Sequence, residues 1–207
     1  MRALVLLVAL FVSTEASAAD LTVMVRTAAG KPVRDAVVTV YPASGAAGPS
    51  RLSGPYRMVQ QNIAFDPFVM VAPVGAEVSF PNKDTVRHHV YSFSPAHPFE
   101  LKLYGKDETR TVRFDKAGVI ALGCNIHDQM VAFIKVVDTP YAAKTGEGGE
   151  VVLHGLPAGG ATVHVWHPYM KSRGNEVVRT LTIGSDRAGH EQVSVDLLTP
   201  PDRRHAY

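Results

Sequence analysis

From Leu21 onward the apolar residues recur at every second position, and that period decides the fold class. Leu21, Val23 and Val25 alternate with Thr22, Met24 and Arg26; Val38 and Val40 alternate with Thr39 and Tyr41. Val112 and Phe114 alternate with Thr111 and Arg113, and Val193, Val195 and Leu197 with Ser194 and Asp196. Successive side chains of an extended strand face opposite sides of a sheet, so each run buries one face and wets the other. Clusters of Gly, Pro, Asn and Asp separate the runs, as antiparallel strands joined by turns require. The chain reads as all-β, arranged as sandwiches.

Composition closes off the alternatives. With 207 residues, 46% of them apolar, and a net charge of +2, the chain can bury a sizeable core and lacks the charge excess of a disordered segment or a nucleic-acid binder. Its one cysteine, Cys124, has no internal partner, so no disulfide framework holds the fold.

The N-terminus reads as a targeting segment. Arg2 leads into an apolar run from Ala3 to Val12, and Ala16-Ser17-Ala18 fits a signal-peptidase site, so residues 1–18 are expected to be removed on export. The run is about half the ~20 residues a spanning helix needs, which predicts no membrane span after cleavage and a periplasmic or secreted protein. There is no twin arginine, so export unfolded, with metal acquired afterwards, is the expectation.

Two stretches of small, turn-forming residues divide the chain beyond this segment: Pro42 to Ser50, and Lys144 to Gly149. Nearly all the unusual chemistry lies between them. Ile120 to Gly123 runs as a strand into Cys124-Asn125-Ile126-His127-Asp128-Gln129-Met130, and Val131 to Val137 leaves as another. One loop therefore supplies thiolate, imidazole and thioether at three-residue intervals. Upstream, Val78-Ser79-Phe80-Pro81-Asn82 enters a polar turn that ends in His88-His89-Val90, where either imidazole could complete a set of four. Zinc accepts Cys and His but makes little use of a thioether, whereas two His, one Cys and a weak axial Met are the donors of a blue-copper site. The donor set favours one copper ion. The competing reading has Cys124 as a small buried hydrophobe, His127 as a loop residue and Met130 as core filler.

The segment from Phe65 to Val137 resembles a cupredoxin domain, the family of plastocyanin, pseudoazurin and amicyanin. Phe65-x-Pro67, Pro73-Val74-Gly75, Val78-x-Phe80-x-Asn82, Phe114-Asp115-x-Ala117-Gly118 and the Cys124 loop carry the likeness, and the Cys-x-x-His-x-x-Met spacing is most similar to amicyanin. The resemblance implies a Greek-key β-sandwich over residues 55–137, with one type 1 copper ion held by His88, Cys124, His127 and Met130. It implies one-electron transfer, with no catalysis at the metal, to or from a redox partner protein such as a cytochrome or dehydrogenase. His89 falls where the family has Asn, which removes an amide that ties the ligand loops together. Strand alternation turns His89 away from His88, so His89, Asn82 and Asn125 are expected around the ligands, not among them.

The flanks resemble a carboxypeptidase-regulatory-like domain, a small transthyretin-like or Ig-like sandwich, through Gly30-x-Pro32-Val33-x-Asp35-Ala36 and Gly155-Leu156-Pro157-Ala158-Gly159. Residues 20–50 and 138–199 would then form one discontinuous domain interrupted by the cupredoxin segment, with 200–207 as a polar tail. The arrangement is similar to periplasmic plastocyanin-like proteins labelled methylamine utilisation proteins. Two other functions fit the same residues: a periplasmic copper carrier or store using these ligands, and a non-redox interaction module. His164 and His167 read as strand residues with no metal, Trp166 as a core or interface anchor, and His97 as a solvated loop residue.

Overall fold

The computed structural model describes residues 18–45, 50–185 and 188–199. The segment 1–18, expected to be removed on export, lies outside them apart from Ala18, as does the expected polar tail at 200–207. The chain is all-β. Its strands are β1 (Ala18–Thr27), β2 (Val37–Pro42), β3 (Tyr56–Arg57), β4 (Val59–Gln60), β5 (Phe65–Asp66), β6 (Val69–Pro73), β7 (Ala76–Pro81), β8 (His88–Ser92) and β9 (Phe99–Tyr104). They continue as β10 (Thr109–Phe114), β11 (Gly118–Cys124), β12 (Val131–Val137), β13 (Ala142–Lys144), β14 (Glu150–Pro157), β15 (Gly159–Trp166), β16 (Glu176–Ile183) and β17 (Gly189–Val195).

Two sheets are built from the ends of the sequence. One has the order β14-β1-β17, the other β13-β2-β15-β16. The alternating residues Leu21, Val23, Val25, Val38, Val40, Val163, Val165, Val193 and Val195 meet between them as one buried core. The middle of the chain builds a five-stranded sheet, β6-β12-β11-β8-β9, and a three-stranded sheet, β10-β7-β3. Their facing side chains form a second core that includes Val78, Phe80, Phe114, Val90, Ile120, Leu122 and Ile134. Burying side chains of this size stabilises each sandwich by roughly 1.5–3 kcal/mol per residue before chain entropy is counted.

β2 departs from simple alternation, because Val37 and Thr39 on its second face are buried as well. For Val37 the cause is a smaller cluster in which it and Trp166 pack with Val69, Phe68, Val71, Val119 and Phe133. These residues come from both sandwiches, so β2 and β15 each serve a core on one face and a junction on the other. Trp166, expected as a core or interface anchor, stands at that junction. His97 differs from the expectation. It is only partly exposed, and its ring packs edge-on to Phe114 with centroids 4.9 Å apart, because the Pro-rich loop folds back over the aromatic end of the core. Among the described residues no helix is long and apolar enough to cross a membrane.

Candidate metal centre

Two neighbouring inner strands of the five-stranded sheet, β11 and β8, bring the site together. β11 pairs with β8 so that Cys124 lies opposite Val90, which brings the last residue of one strand beside the start of the other. The loop after Cys124 is fixed at both ends: the Asn125 amide donates to the His89 carbonyl at 3.1 Å, and the Met130 amide to the His127 carbonyl at 3.0 Å. The first of these bonds ties the loop to the strand that carries His88 and His89, and the second closes the loop on itself.

His88, Cys124 and His127 come together as a group whose ligand atoms all lie within 4.8 Å of one another. Cys124 Sγ is 3.8 Å from His88 Nδ1 and 3.6 Å from His127 Nδ1. Bonds of about 2.0–2.3 Å to one ion, at angles between tetrahedral and trigonal, place sulfur and nitrogen roughly 3.5–3.8 Å apart, so the donors fit a single ion. His88 and Cys124 are buried, whereas His127 keeps one side open. Met130 is buried in the same core as Cys124, at the far end of the loop.

The electrostatics favour a ligating sulfur. Burial pushes the Cys124 thiol up, but hydrogen bonds from His88, from the backbone at His89 and Ile126, and from His127 outweigh it and bring the pKa down to about 6. Burial likewise disfavours a charged His88, yet hydrogen bonds to Cys124 and Asp84, with their charges, raise its pKa above the ordinary imidazole value.

The remaining expected residues surround the group without joining it. Asn82 is fully buried; its Nδ2 donates to the Val86 and Tyr104 carbonyls at 2.9 and 3.1 Å and its Oδ1 accepts the Asp84 amide at 2.9 Å, which sets the shape of the turn before His88. His89 turns away, as alternation requires, and its Nε2 meets Glu100 at 2.8 Å. The Asn125 side chain is exposed and its main chain does the linking. His164 pairs with Glu176 at 2.9 Å, and among the described residues no second cluster of metal-binding side chains forms.

Asp84 escaped the sequence reading. Its Oδ2 accepts the Nε2–H of His88 at 2.8 Å. The only available signal was a carboxylate four residues before a histidine, which without the turn's geometry is indistinguishable from a solvated acid.

Fold and cluster together define an all-β protein with a buried His-Cys-His centre, and the part that holds the centre is similar to cupredoxins. The copper-containing nitrite reductase of Thermus scotoductus is 28% identical over 47% of this chain and 25% of its own, with a TM-score of 0.39, so the chain spans a quarter of that enzyme's length. A purple cupredoxin from Nitrosopumilus maritimus is 19% identical over 40% of this chain and 100% of its own, with a TM-score of 0.37. An amicyanin variant in its Cu(I) form is 15% identical over 48% of this chain and 98% of its own, with a TM-score of 0.37. No protein-family model and no curated protein matches the chain.

Proposed function

We propose that the chain is a periplasmic type 1 copper protein that passes single electrons, with His88, Cys124, His127 and Met130 as the residues that would hold the ion. The observation that carries this is a buried sulfur with a thiolate-range pKa, within 4 Å of two imidazole nitrogens. A copper ion bound there would supply one-electron chemistry between its reduced and oxidised states.

The chain's own residues do the rest. Cys124 is shielded from solvent, which protects a free thiol in an oxidising compartment. His127 reaches the surface beside exposed Ile126, giving an electron an exit where a redox partner, a cytochrome or a dehydrogenase, can approach. With Met130 as a fourth ligand beside His88, Cys124 and His127, the ion would have no open position for a substrate, a reading that favours a carrier over an enzyme. The separation of two cores supports two domains, a cupredoxin unit at 55–137 inserted into a carboxypeptidase-regulatory-like sandwich formed by 20–50 and 138–199.

Copper loading tests the reading. The Cu(II) protein should absorb strongly in the visible through sulfur-to-copper charge transfer, and Cys124→Ser should abolish the band. A colourless protein that holds only Cu(I) would reject electron transfer and favour the carrier function.

A further inference from the structure

We propose that the turn Asn62-Ile63 is a positioning device for His88 and acts through Asp84. Gln61 and Ala64 exchange both main-chain hydrogen bonds, at 3.0 and 3.2 Å, and close the β4–β5 hairpin around two central residues. Asn62 has φ 56° and Ile63 φ 52°. Two positive φ values in a two-residue loop make a type I′ turn, whose preferred sequence is Asn-Gly. Asn62 fits the first position. Ile63 does not fit the second, since a branched Cβ is strongly disfavoured in the left-handed region. The hairpin therefore adopts a conformation that its own sequence opposes, and contacts from elsewhere must hold it.

Asp84 supplies them. The Asn62 amide donates to its Oδ1 at 2.6 Å and the Ile63 amide to its Oδ2 at 3.0 Å. Both are donors that a type I′ turn ordinarily leaves to water. The carboxylate is largely shielded, with 11% side-chain exposure, and its own amide is fixed by Asn82 Oδ1. A carboxylate only accepts hydrogen bonds, so the His88 nitrogen 2.8 Å away must be Nε2–H, and in the neutral ring the Nδ1 lone pair is left on the Cys124 side. The order of control runs from the two amides of the turn, to the orientation of Asp84, to the tautomer and electron density of His88, and from there to the potential of a bound metal. Its last step, on the metal's potential, rests on the proposed copper centre; the first two do not.

The test uses Asp84→Asn, Ile63→Gly and an insertion of two glycines between Gln61 and Asn62. In the metal-free protein at a pH where His88 is neutral, nitrogen NMR should show a single Nε2–H tautomer of His88, and the glycine insertion should mix the tautomers although Asp84 is still present. In the copper-loaded protein, Asp84→Asn and the insertion should both raise the reduction potential, while Ile63→Gly, which keeps both amides and relieves the strain, should leave it unchanged. An insertion that lowers the melting temperature but leaves tautomer and potential unaltered overturns the proposal. Should the insertion fail to fold, amide exchange at Asn62 and Ile63 decides: Asp84→Asn should accelerate it at least about tenfold, and unchanged rates overturn the proposal. If no copper binds but the tautomer responds as described, the copper reading fails and the positioning role stands.

Discussion

Tyr91 lies across Gly123, the residue before the centre's cysteine: a methyl group at position 123 would sit 2.8 Å from both Cζ and Oη of the tyrosine ring. The two are cross-strand partners on β8 and β11, so the missing side chain is what admits the ring. Tyr91 in turn packs on Phe93, with centroids 4.9 Å apart, although Phe93 is 84% exposed.

Gly123→Ala should therefore destabilise by overpacking, by about 1–3 kcal/mol. Nothing in the backbone opposes alanine here, since Gly123 is not in the left-handed region. The cost should largely vanish when Tyr91→Ala is made as well. Urea denaturation of the two single variants and the double variant measures the coupling, and equal costs in both backgrounds would show that Tyr91 is not what the glycine accommodates.

In the metal-free protein Cys124 should titrate near 6, well below the ordinary thiol value of 9.0. The sign comes from the lowered pKa: the thiolate is present at neutral pH and disappears as the pH falls through about 6. Ultraviolet thiolate absorbance across pH 4–10, an interval of about three units either side of neutrality, tracks the change. His88→Ala removes a stabilising hydrogen bond and should move the midpoint upward. A wild-type midpoint near 9 would mean that burial, not the hydrogen bonds, dominates at this sulfur.

The strand alternation and the Cys124-x-x-His127-x-x-Met130 loop were legible because each is written in consecutive residues. Period two marked Val23, Val38 and Val193 as core, and strand polarity separated His88 from His89. Asp84 was not legible, because its role depends on a hairpin 22 residues earlier in the chain, where Ile63 occupies the position that a glycine would have advertised. The packing of His97 on Phe114 was hidden for a similar reason: a histidine between Ala96 and Pro98 carries no local sign of the aromatic core that its loop folds onto. Burial of Val37 on the second face of β2 also needed the junction between sandwiches, which period two does not encode.

That junction makes its own prediction. Trp166 is 3% exposed, meets Phe133 edge-on at 6.0 Å, and lies 5.5 Å from the ammonium of Lys135. Phe133 and Lys135 both belong to β12, the strand that leaves the ligand loop. Trp166→Ala should cost about 3–5 kcal/mol through the lost packing. Because each sandwich keeps its own core, the loss should appear in calorimetry as separation of one melting transition into two. A single transition, merely shifted, would argue against two domains.

Met130 distinguishes a ligand from core filler. It is 1% exposed and packs with Cys124, Val90 and Ile134, so truncation alone is expensive: Met130→Ala should cost about 2–5 kcal/mol whether or not the sulfur touches copper. Met130→Leu separates the roles, since it nearly preserves volume and should cost less than about 1.5 kcal/mol while removing the thioether. With Met130 as the axial ligand, the leucine variant should keep its visible charge-transfer band and show a raised reduction potential, because the oxidised ion loses a donor. Voltammetry of the copper-loaded wild type and variant reads the difference. An unaltered potential alongside near-wild-type stability would assign Met130 to the core and leave the centre with His88, Cys124 and His127 as its protein donors.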